Sequence, residues 1–191
     1  MHRFLSRLQN RFPAWVLGVQ APVAALILLY LRAGHPYYRL FPLLLAAGAF
    51  LFARDAFSGR WAAWAAPVYY FGLISLLSSA TTTTARPVMS FLFHPPEYFF
   101  LALLGMHAAR SPGFLRGLRK DAAVLAGCVL LAALDEFHQS FVPGRVADVF
   151  DGLLDASGAA AGILAYRVLS HLGGWERSSG VCAAERDKPC K

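Results

Sequence analysis

Between Leu134 and Gly162 the chain reads LDEFHQSFVPGRVADVFDGLLDASGAAAG. Asp135, Glu136, Asp148, Asp151 and Asp155 set five carboxylates around one arginine, Arg145, between two apolar runs. On a helix, Asp135 and Gln139 share a face, while Glu136 is turned about 100° away. Asp148, Asp151 and Asp155 are spaced by three and four, so they stack on one face of the next helix. Gly158 and Gly162 continue that stripe. Small residues at this spacing let a neighbouring helix approach closely, so the stripe is expected to face protein. Charge at or inside a membrane is costly, and a cluster of it is a functional-site hypothesis by default.

Three chemistries fit these residues. The acids suit a cationic or hydroxylated head group, and the planar fork of Arg145 suits an anionic group such as phosphate. Alternatively, His94, Glu97, Asp135, Glu136 and Asp151 offer oxygen and one imidazole to a divalent metal, or pair as acid and base. The third reading is structural: Asp135, Glu136, Arg145 and Asp148 tie two helices together across the Pro143-Gly144 turn. Asp148 and Asp151 also have a plain reading as carboxylates at a helix N-terminus, which the helix dipole favours. Asp155 lies a turn deeper. One arginine leaves surplus acid, which ranks the structural reading below binding. There is no HExxH spacing, no activated-serine motif and no glycine-rich phosphate loop. No catalytic residue, metal site or cofactor is therefore assigned, and the balance leans away from an enzyme.

The elements that must hold these residues are apolar. The chain has 191 residues, 57% hydrophobic and 15% charged, against about a quarter charged in a soluble domain. Mean hydropathy is +0.47. The apolar residues fall in blocks at 14–31, 40–53, 61–79, 97–109, 121–138 and 146–171. The expected fold is all-α: a polytopic membrane bundle of about six transmembrane helices. The first block follows Arg3, Arg7 and Arg11 but is too long for a signal-peptide core, so it reads as a retained helix. The second is short, and Tyr37 and Tyr38 extend it toward the interface. Trp61 and Trp64 mark an aromatic belt. Pro95-Pro96-Glu97 reads as the opening of the fourth helix, since proline suits a first turn.

Of 18 basic residues, six spans leave only Arg32, Arg39, Arg86 and Arg145 on the outer side, with both termini in the cytoplasm. The positive-inside rule selects that orientation. The net charge of +7 is accounted for by orientation and anionic lipid, so nucleic acid is not an expected partner. His94, Glu97 and the five acids all fall at outer helix ends. Residues 1–67 read as an N-terminal helix pair, 68–172 as a four-helix core and 173–191 as a disordered cytoplasmic tail. The four threonines at 81–84 read as solvated loop, and His107 as an interfacial histidine. Three cysteines make no disulfide framework.

Asp135-Glu136, Gln139, Pro143-Gly144-Arg145, Asp148, Asp151 and the Gly158…Gly162 run resemble the VanZ-like family. His94 and Tyr98 look like that family's His-x-x-x-Tyr element. The resemblance spans roughly residues 68–170, and it departs at Asp155, where the family usually has asparagine. It takes its name from a membrane protein that lowers susceptibility to teicoplanin by a mechanism not established, and most members have no assigned activity. The resemblance implies a cell-envelope role and an outward-facing polar site of His94, Glu97, Tyr98, Asp135, Glu136, Gln139, Arg145, Asp148, Asp151 and Asp155. Expected partners are membrane lipids and an envelope lipid or glycopeptide.

Overall fold

A computed structural model of the chain describes residues 9, 11–30, 36–53, 62–79, 87–110, 115–145, 147–173 and 175. These form six helices and no strand: α1 Phe12–Tyr30, α2 Pro36–Ala53, α3 Ala62–Ser78, α4 Pro87–Ala108, α5 Leu118–Gln139 and α6 Val149–Gly173. Each overlaps one apolar block. By length and composition α6 can cross a membrane, and shorter apolar stretches lie in α1 (Phe12–Leu26), α2 (Leu40–Ala53) and α3 (Ala63–Ser78). Both α4 and α5 are long enough, at 22 residues each. The threonine loop, Arg3, Arg7, Arg86 and residues 176–191 lie outside the described residues.

One boundary differs from the sequence reading. Pro95 and Pro96 do not open α4; they lie inside a helix that begins eight residues before Pro95, at Pro87. Pro87 takes the first-turn position that suits proline, as Pro36 does in α2. Interior prolines cost a backbone hydrogen bond, and helices in apolar surroundings accept them where neighbouring groups and local adjustment satisfy the freed carbonyls.

The packing brings α4 and α6 together most extensively, with α1 against α2 next. The α4–α6 contact depends on two glycines. A Cβ at Gly158 would overlap the Pro95 backbone carbonyl, and one at Gly162 that of Phe99. Glycine is thus the residue that lets these backbones meet. Tyr70 of α3 donates to Gln20 Oε1 of α1 (2.7 Å), and Tyr69 donates to the Leu44 carbonyl of α2 (2.8 Å). These bonds join the first pair of helices to the rest. Trp175 is buried against Phe12 and Tyr166, and His107 stacks on Phe12 at 5.1 Å. That aromatic cluster closes the end of the bundle holding the start of α1 and the ends of α4 and α6. Large apolar side chains on the outside, among them Leu43, Val68, Leu130, Leu164 and Leu172, are exposed.

Candidate functional site

At the opposite end, α3 and α5 finish, α6 is in its first turns, and α4 is about two to three turns past its start at Pro87. Four helices therefore deliver polar side chains to one level. The connection from α5 to α6 sets the geometry. Pro143 and Gly144 occupy the middle of a turn in which the Arg145 N–H donates to the Val142 carbonyl (3.0 Å), and Gly144 has φ 82°. Proline then glycine with positive φ is the type II pattern, and it returns Arg145 over the end of α5. The Asp148 N–H donates to Glu136 Oε2 (2.7 Å), and Asp148 Oδ1 accepts from the Phe150 N–H (2.8 Å). Asp148 is thus an exposed N-cap of α6. Its capping role holds, and it does not share the buried face of Asp155.

The cluster has two halves. In the first, Asp135 Oδ2 accepts from Ser78 Oγ (2.7 Å) and from Gln139 Nε2 (2.8 Å), and Gln139 Oε1 accepts from Arg145 Nη1 (3.2 Å). Among the described residues Arg145 forms no ion pair with a carboxylate. Gln139 stands between it and Asp135. In the second half, His94 Nδ1 meets Asp155 Oδ1 at 3.0 Å, and His94 Nε2 lies 3.7 Å from Asp151 Oδ2. Glu97 joins the halves, interacting electrostatically with His94, Asp155, Asp135 and Arg145. Tyr98 is fully buried one turn from His94, within electrostatic reach of Asp155, Asp135 and Glu97.

All ten residues expected at the site therefore converge on one region, nine around the cluster and Asp148 at its rim. Ser78 is the residue that sequence reasoning missed. It closes an apolar helix beside the polar loop, and its partner Asp135 lies 57 positions away. His138, the neighbour of Gln139, is exposed, and its Nε2 lies 3.0 Å from Ser79 Oγ.

Several polar atoms here are buried without a hydrogen-bond partner among the described residues: Tyr98 Oη, Asp135 Oδ1, Glu136 Oε1, Arg145 Nε and Asp155 Oδ2. Buried polar groups are nearly always paired, so a concentration of orphans describes a site with capacity for a ligand. An open apolar groove of about 400 Å³, lined by Pro95, Phe99, Phe100, Ser157 and Ala161, begins at the residue after His94.

An all-helical bundle with a buried acid, imidazole and guanidinium centre at one end is the class that fold and site define. The chain belongs to the VanZ/LLP1 family, whose model matches residues 40–170. That match covers α2 through most of α6 and every residue of the cluster. No curated protein and no solved structure matches the chain.

Proposed function

We propose that this VanZ/LLP1 member is an integral membrane protein of the bacterial cell envelope whose cluster binds the polar head group of an envelope lipid or glycopeptide. Its six helices span the cytoplasmic membrane with both termini inside, so the cluster opens to the outer leaflet. Support for the bundle comes from the apolar exterior and from α6, and support for the orientation from the basic residues. One observation carries the binding reading: the orphaned atoms of Asp135, Glu136, Asp155 and Arg145. A self-satisfied structural cluster would pair them, because an unmet buried polar group costs about 1–3 kcal/mol.

The donor set defines the ligand class. Carboxylates of both halves accept from ammonium or hydroxyl groups, and Arg145, held by an amide rather than an acid, keeps Nε for a phosphate oxygen. The adjoining groove suits the first carbons of a lipid chain. Native mass spectrometry of the detergent-extracted protein tests this. Wild type is expected to carry a phosphate-bearing lipid that Arg145→Ala loses while keeping its melting temperature within a few degrees. The same lipids in the same proportion on both proteins would refute the reading.

A further inference from the structure

We propose that His94, Glu136 and Asp151 form a divalent-cation site, with Asp155 as the carboxylate that positions the histidine. Three different helices, α4, α5 and α6, supply these residues. Their candidate ligand atoms lie within 4.8 Å of one another. Two ligands of one ion, each about 2.0–2.2 Å from it, stand roughly 3–4 Å apart. The 3.7 Å between His94 Nε2 and Asp151 Oδ2 matches that separation and exceeds a hydrogen bond.

The surroundings prepare each ligand. Asp155 is fully buried and accepts from His94 at Nδ1, which assigns the ring proton there and turns the Nε2 lone pair toward Asp151 and Glu136. A carboxylate behind an imidazole is the usual way a metal-binding histidine is oriented and made more basic. Glu136 is anchored likewise: Oε2 accepts from the Asp148 N–H, and Oε1 is buried without a partner. Beside the three ligands, the fully buried Asp155, whose Oδ1 meets His94 Nδ1, keeps Oδ2 unpartnered. A dication beside Glu97, Asp151 and Asp155 also offsets acid that Arg145 does not pair.

One imidazole and two carboxylates suit Zn²⁺ or Mn²⁺, and three protein ligands leave a coordination position open. The site deepens the head-group reading, because a phosphate oxygen fits that open position. The ligands themselves require no lipid.

The test is equilibrium dialysis of tag-free, chelator-stripped protein in detergent against Zn²⁺ and, separately, Mn²⁺. Wild type is expected to take up one ion per chain. His94→Ala, Glu136→Gln and Asp151→Asn should each weaken binding at least 100-fold, and Asp155→Asn should weaken it about 10–100-fold. Asp121→Asn, which removes the remote acid paired with Arg167, should bind as wild type does. Melting curves restrict the comparison to folded variants. Failure of the wild type to bind either ion, or equal binding by Glu136→Gln and Asp151→Asn, would overturn the site. Wild type that carries Arg145-dependent lipid yet takes up neither ion would overturn the ion and leave the head-group reading standing. Bound ion with no Arg145-dependent lipid would do the reverse.

Discussion

Ser78→Ala isolates one bond of the cluster. Ser78 and Asp135 are 6% and 2% exposed, and the serine hydroxyl is one of two donors to Asp135 Oδ2, at 2.7 Å. A hydrogen bond to a charged group contributes about 1.5–3 kcal/mol, against about 0.5–1.5 for a neutral pair. Gln139 still donates to the same oxygen in the variant, so the lower end applies: about 1.5 kcal/mol, or roughly tenfold in the unfolding equilibrium. In an Asp135→Asn background the serine meets a neutral acceptor, and the same change should cost about 0.5–1 kcal/mol. Alanine's better helix propensity acts equally in both backgrounds and cancels. The assay is denaturant unfolding in mixed micelles of the wild type, both single variants and the double variant. The expected coupling is about 0.5–1 kcal/mol. A coupling inside the roughly 0.3–0.5 kcal/mol scatter of independent sites would refute a direct Ser78–Asp135 bond.

Gly158→Ala should destabilise the protein by at least about 1–3 kcal/mol, because its Cβ meets backbone of α4 rather than a movable side chain. Gly127→Ala, with open space at the corresponding point, should leave thermal stability unchanged or raise it by up to about 1 kcal/mol. Equal melting temperatures for the two would undo the account of the α4–α6 contact. A cysteine at Val142, in the turn before Arg145, should react with an impermeant thiol reagent added to intact cells. Labelling only after lysis would invert the topology.

Much of the fold was legible because apolar blocks of helical length announce themselves. The second block shows how local chemistry sharpened a boundary, since Pro36, Tyr37 and Tyr38 complete α2. Local rules misled at Pro95-Pro96. They describe where proline is cheapest, whereas α4 continues through these residues and is packed at Pro95 by Gly158. Ser78 was illegible because a serine at a helix end beside a polar loop looks like any solvated residue. Its partner lies 57 positions away, and no local pattern encodes that distance.

The sequence by itself determined where the helices lie apart from the start of α4, the side of the bundle on which polar residues gather, and the stripe Asp151–Asp155–Gly158–Gly162. These follow from periodicity, block length and charge distribution, all local or additive quantities. Only the tertiary structure decided which polar atoms meet. It put Gln139 between Arg145 and Asp135, set Asp155 behind His94, turned Asp148 into an exposed cap, and brought Glu136 and Asp151 to one imidazole. Such pairings depend on the rotation and depth of helices against one another, which are fixed by glycine contacts and the Pro143-Gly144 turn. A change of a few ångströms there separates a hydrogen bond from an open ligand position.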